Sequence, residues 1–300
     1  MNEANGKRVI ETLAQTYYQL YLVPGDGALE KYRDIVQAGD EPDEWDLSHF
    51  KTNEKDSLTF MDTPEGKVCV VTLYERDDFV LFLQIMANRC APVKIPDTQG
   101  ASILSGVINW RKIEAHEEAF LREEREKGVK DPDWGTEFKR FTSDKKNYLD
   151  VLIVLSVGPY SGIPARTFGF DEDKWITLSN TIRLYHECTH FICRKRYPDM
   201  IDAIWDELVA DAVGIYAAFG KFDPGIEERF LGIRDGIYEG GRLENYLKDV
   251  TEDEKKKALD ELSVKITGIL EGFETMISDK PSAEPFEIVD LLQGSKEKYW

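Results

Sequence analysis

Residues Leu149 to Val157 read Leu-Asp-Val-Leu-Ile-Val-Leu-Ser-Val, a near-continuous run of branched apolar side chains. Successive side chains of a strand point to opposite faces, so a run apolar at both odd and even positions buries both faces of its sheet. Gly158-Pro159-Tyr160-Ser161-Gly162 then ends the strand. A sheet covered on both sides needs helices and a sizeable core. The 300 residues supply enough chain for one large domain or two modest ones.

The rest of the chain fits that demand. Residues 57–61 and 67–74 are rich in β-branched residues and read as two strands joined at Pro64-Glu65-Gly66, a hairpin pattern. Residues 8–22, 27–37, 76–89 and 114–127 read as helices, and the small apolar stretch 101–110 is also assigned to helix. Strand patterns recur at 166–170 and 175–178. From Asn180 the character becomes helical, and 199–219, 225–239 and 252–277 follow as further helices. There is no internal repeat and no long Gly/Ser linker. The expected class is α+β in two lobes. Residues 1–197 would carry a small mixed sheet with helices, and residues 198–300 would be mainly helical.

Charge limits the partners. Hydrophobic residues make up 42% and charged residues 32%, ordinary values for a folded chain, but the formal net charge is −19. Such a surface repels nucleic acid and anionic membrane. The N-terminal stretch to Val23 is interrupted by Glu11, Gln15 and Gln19, so it reads as an amphipathic helix and not as a signal segment. No apolar run approaches the ~18 residues of a membrane span. Cys69, Cys90, Cys188 and Cys193 lack the dense spacing of a disulfide scaffold. A reduced, cytoplasmic protein is the expectation.

Chemistry concentrates at His186-Glu187-Cys188-Thr189-His190. The chain has four histidines, and two of them stand four residues apart. On a helix that spacing stacks both imidazoles on one face, about 6 Å apart along the axis, within reach of one metal ion. Glu187 leaves the helix about 100° away from His186 and can flank the metal without taking the same position. In the His-Glu-x-x-His pattern two histidines bind zinc and the glutamate acts as general base. Zinc needs a third protein ligand and one open position for water. The next helix offers Asp206-Glu207-Leu208-Val209-Ala210-Asp211. Its apolar stripe is Ile201, Ile204, Trp205, Leu208, Ala212 and Ile215. Another face carries Ala203, Glu207, Ala210, Asp211, Gly214 and Ala218. Small residues there let a neighbouring helix approach, and buried acids need a charged or hydrogen-bonding partner.

Residues 182–214 resemble the active-site core of gluzincin metallopeptidases, the thermolysin-like group. Their pattern is His-Glu-x-x-His on one helix, then Glu-x-x-x-Asp on a following one. The resemblance implies a two-lobed zincin-like fold, with zinc in the cleft between the lobes. It implies His186, His190 and Glu207 as zinc ligands, Glu187 as general base and Asp211 as the acid that orients a ligand histidine. It also implies a peptide or protein substrate. Sixteen residues separate His190 from Glu207, slightly fewer than in thermolysin, and Asp206 stands where thermolysin has Asn. The family's edge-strand substrate motif has no counterpart here. Asp211 in place of Glu207 as third ligand, as in aspartate-type zincins, is an alternative.

Such a site needs a donor for a tetrahedral oxyanion. No histidine follows His190, and Gly240-Gly241-Arg242-Leu243-Glu244-Asn245-Tyr246 offers Arg242 or Tyr246, with the glycine pair able to bring backbone close to a ligand. Three other functions compete with a peptidase. One is a zinc hydrolase of a non-peptide amide. Another is an inactive zinc-binding protein, its site closed by a fourth ligand such as Cys193. The third is a metal-free interaction protein.

Overall fold

The apolar run does form an interior strand. In the computed structural model, which describes residues 1–200, 202–247 and 251–300, the sheet contains β1 (Ala4–Asn5), β2 (Ser57–Thr63), β3 (Gly66–Leu73), β4 (Ala101–Ile108) and β5 (Leu149–Ser156). Their spatial order is β1-β2-β3-β5-β4, which puts β5 between two neighbours. β1 pairs antiparallel with β2 through Ala4 opposite Leu58. β3 and β5 are parallel, with Cys69 opposite Leu152 and Leu73 opposite Ser156. Parallel neighbours cannot be joined by a tight turn. The crossover between them runs through α3 (Arg76–Met86), β4, α4 (Trp110–Glu126) and α5 (Trp134–Thr142).

The chain divides into two compact units. The first comprises Met1–Met61, Val68–Pro96 and Ile103–Ser156, and the second comprises Asp62–Lys67, Asp97–Ser102 and Val157–Trp300. In the first unit α1 (Arg8–Ala14), the short helix α2 (Glu30–Tyr32) and α3 accompany the sheet. Leu13, Val71, Phe79, Phe82, Leu152 and Val154 are fully buried in its core. Each such side chain contributes about 1.5–3 kcal/mol relative to exposure. Asp150, the one acid in the apolar run, accepts from Tyr17 at 2.7 Å and from Asn109 at 2.6 Å, which satisfies it where it is half-buried.

The second unit is built on α6 (Glu172–Arg196) and α7 (Ala203–Phe219), followed by α8 (Pro224–Leu231), the hairpin β6 (Ile233–Arg234) and β7 (Ile237–Tyr238), α9 (Glu252–Ser278), α10 (Glu287–Gln293) and α11 (Lys296–Tyr299). Asp171 caps α6 by accepting from the Lys174 amide, and Asp202 caps α7 by accepting from the amides of Ile204 and Trp205. Gly220, at φ 70°, ends α7 in the left-handed conformation. A Cβ added at Gly214 would lie 2.7 Å from the Ile182 carbonyl oxygen. The small-residue face of α7 is therefore where α6 comes closest, as its composition predicts. Trp205, Leu208, Ala212 and Ile215 of the apolar stripe are buried, and Ile201 lies outside the described residues.

Several expectations are corrected. Residues 101–108 are a strand and not a helix, because pairing beside β5 uses Ile103, Leu104 and Val107 in a sheet. The strand patterns at 166–170 and 175–178 are absent. Residues Ala165–Thr167 make a 3-10 turn, and α6 begins at Glu172, where the Asp171 cap outweighs the β-propensity of Trp175 and Ile176. The helix expected over 225–239 stops at Leu231, since Gly232 takes φ 83° and Asp235-Gly236 turns the following hairpin. The main division between the two compact units falls at Ser156/Val157, and α6 packs along α7 within the second. No described helix is long and apolar enough to cross a membrane. All four cysteines are buried free thiols.

Candidate metal centre

Three side chains from α6 and α7 converge. His186 Nε2 lies 3.0 Å from His190 Nε2. Glu207 Oε2 lies 3.6 Å from His186 Nε2, and Glu207 Oε1 lies 3.3 Å from His190 Nε2. A tetrahedral zinc ion with bonds of about 2.0–2.1 Å separates its ligand atoms by roughly 3.3–3.4 Å. The two carboxylate distances involve different oxygens of Glu207, and one ligand atom from each of the three side chains lies within 4.8 Å of the others, close enough to share one metal ion. Among the described residues His186, His190 and Glu207 form the group able to hold a metal. Asp211 lies behind His186 and is not in that group. Cys193 is also outside it, and its thiol accepts from Gln293 Nε2 at 3.3 Å.

Asp211 is fully buried, one helical turn beyond Glu207. Its Oδ1 lies 2.8 Å from His186 Nδ1. A carboxylate there holds the proton on Nδ1 and leaves the Nε2 lone pair facing the other two ligand atoms, as a metal-binding imidazole requires. The other oxygen, Oδ2, pairs with the Arg242 guanidinium. Burial pushes the Asp211 carboxyl up, but the Arg242 charge and the His186 bond outweigh it and hold it below its ordinary value. For His186, burial pushes down and the Asp211 bond and charge prevail, so its pKa is raised. Glu207 is opposed by burial too, yet the two histidines hold it well below the usual carboxylate range.

Glu187 follows His186 on the same helix and is 8% exposed. The segment expected to supply an oxyanion donor forms a 3-10 turn, Arg242–Tyr246. Arg242 is committed to Asp211, and its Nη1 lies 3.4 Å from the Tyr160 hydroxyl. Tyr246 donates to Glu207 Oε2 at 3.0 Å. Both side chains thus grip the acids of α7. Gly232, Gly240 and Gly241 make a close backbone-to-backbone contact, since a Cβ on Gly241 would lie 2.6 Å from Gly232 Cα.

Two residues carry no motif and emerge only from the fold. Tyr160 donates to Asp211 Oδ1 at 2.6 Å, with its oxygen 3.0 Å from His186 Nδ1. Its one sequence signal is a place in the loop that ends a buried strand, where functional residues often gather. Glu227, on α8, is fully buried, and neither carboxylate oxygen has a partner among the described residues. Burial pushes its carboxyl well above the ordinary value, the Asp211 charge adds to this, and Arg242 opposes it. The remaining two histidines have other partners. His49 bonds the Leu20 carbonyl, and His116 bonds Glu137 and stacks on Phe141.

Comparison with curated proteins and with solved structures gives no match. A family does match, over residues 1–294, nearly the whole chain including every residue of the candidate centre. The chain belongs to DUF7005, a family of unknown function.

Proposed function

We propose that the chain is a zinc-dependent hydrolase, with peptides or proteins as substrates and a gluzincin-type arrangement of its site. The observation that carries this reading is the convergence of His186 Nε2, His190 Nε2 and the Glu207 carboxylate at 3.0–3.6 Å, on a helix that carries Glu187 next to His186 in sequence. His186, His190 and Glu207 would hold the ion, and three protein ligands leave one position open. Zinc bound there supplies a Lewis acid that polarises a carbonyl and makes water acidic near neutral pH.

This chain's residues do the rest. Glu187 accepts the proton of the attacking water and returns it to the leaving nitrogen of the cleaved amide. Asp211 keeps the His186 proton on Nδ1 throughout. A peptide-bond substrate follows from the likeness of residues 182–214 to the thermolysin-like group, and the same ligand set serves other amides.

The test compares the zinc-loaded protein with its Glu187→Gln variant on mixed peptide libraries. General acid–base groups contribute about 10²–10⁴-fold, so Glu187→Gln should lose cleavage by that factor while keeping zinc. A zinc-loaded protein that cleaves neither peptides nor small amides would remove the enzyme reading and leave the metal site standing.

A further inference from the structure

The loop Gly158 to Ile163 is fastened along α6. Trp175 Nε1 donates to the Ile163 carbonyl at 2.7 Å. Ser179 Oγ accepts from the Tyr160 amide at 3.0 Å. Arg183 donates through Nη1 to the Gly158 carbonyl and through Nη2 to the Pro159 carbonyl, each at 2.7 Å. Trp175, Ser179 and Arg183 are spaced by four residues, and His186 and His190 continue the series at steps of three and four. With 3.6 residues per turn, all five fall within about 80° of the helix circumference. The face that presents the metal ligands therefore also fixes this loop.

Other details show how tightly the loop is held. A Cβ at Gly100 would lie 2.4 Å from Arg183 Nε, so glycine leaves the room the guanidinium occupies. Ser161 takes φ 50°, a left-handed conformation that a non-glycine residue keeps only where its surroundings over-determine it. The Tyr160 ring packs on Phe230, with centroids 4.6 Å apart, and its side chain is buried.

The result is that a phenol hydroxyl is delivered to the junction of His186 and Asp211. We propose that Tyr160 is a positioning residue of the metal centre, anchored on the ligand-bearing helix and acting through Asp211 to fix the His186 ring. Asp211 Oδ1 takes two donors, the Tyr160 hydroxyl and His186 Nδ1–H, while Oδ2 takes Arg242. Without the hydroxyl, Oδ1 keeps the His186 Nδ1–H but loses its second donor, and the carboxylate is less firmly fixed about its Arg242 contact. The ring of His186 is then held by a less firmly placed partner, and its Nε2 is aimed less tightly. This inference rests on the zinc reading given above, and the test separates the two.

Tyr160→Phe keeps the ring and its packing and removes one oxygen. Zn2+ affinity is measured by competition with a chromophoric chelator, and the visible spectrum of the Co2+-loaded protein reports ligand geometry. Tyr160→Phe should bind Zn2+ about tenfold more weakly and shift the Co2+ bands, with unchanged far-UV circular dichroism. In an Asp211→Asn background the same substitution should add no further loss, which a role in packing alone would not produce. Unchanged affinity and spectrum in Tyr160→Phe would overturn the proposal, as would an equal loss in both backgrounds. If the folded wild type takes up neither Zn2+ nor Co2+, the zinc reading itself fails, and this inference with it.

Discussion

The Tyr246 hydroxyl donates to Glu207 Oε2 at 3.0 Å, and Arg242, four residues earlier, pairs with Asp211, four residues after Glu207. One 3-10 turn thus engages the two acids of α7 in reverse order. The turn is held by the close backbone contact of Gly232 with Gly240 and Gly241. A carboxylate ligand with its second oxygen bonded cannot swing freely between one- and two-oxygen binding. Tyr246→Phe should therefore weaken zinc binding by about tenfold, the lower end for partners of metal ligands. Chelator competition measures this, and an unchanged affinity would assign Tyr246 to another task.

The Asp211–Arg242 pair is a stability prediction. The Asp211 side chain is fully buried and that of Arg242 is 21% exposed. Removing one partner strands the other, so Arg242→Met should cost about 3–5 kcal/mol in urea unfolding of the metal-free protein. The double variant Arg242→Met with Asp211→Asn should recover part of that loss, because no uncompensated charge remains. A double variant less stable than Arg242→Met alone would contradict the pairing.

Glu227 sets a pH dependence. Its carboxyl is raised in the folded protein, chiefly by burial, above the ~4.3 expected when unfolded. A raised folded pKa means the folded state holds the proton more tightly. The stability it contributes is fully present below the unfolded value and is lost as pH rises through the folded one. Glu227→Gln cannot ionise and escapes that loss. The stability of Glu227→Gln relative to wild type should therefore climb from acid to alkaline pH, read from denaturant midpoints. Parallel pH curves would contradict a neutral buried carboxyl.

The approach of α6 to α7 predicts a steric effect. Gly214→Ala places a methyl 2.7 Å from the Ile182 carbonyl oxygen, a backbone atom that cannot step aside alone. Separating the helices should cost about 1–3 kcal/mol. It should also loosen zinc, because His186 and Glu207 lie on the two helices being parted. A melting temperature and a zinc affinity both equal to wild type would show that the contact relaxes without consequence.

The candidate site was legible in residues 186–211 because helical periodicity alone places His186, His190 and Glu187, and the small residues of α7 announce a close neighbour. The central strand was legible for a similar reason, since an apolar run of that length leaves few other solutions. Residues 101–108 were not, because small apolar residues suit helix and strand alike until a partner strand exists. Tyr160 and Glu227 were not, because long-range packing alone brings a loop tyrosine to Asp211 and buries an acid of an ordinary amphipathic helix. Arg242 and Tyr246 were found as residues, but their partners, Asp211 and Glu207, lie 31 and 39 positions away, beyond any local pattern.

We propose a zinc ion held by His186, His190 and Glu207. It is tested most directly by equilibrating the folded protein with Zn2+, dialysing it and measuring bound metal in wild type, His190→Ala and Glu207→Ala. Wild type should retain about one zinc per chain and both variants should lose it, since each removes one of three proposed protein ligands. A folded wild type that retains no zinc, or variants that retain it as well as wild type, would contradict a zinc site built from these three residues.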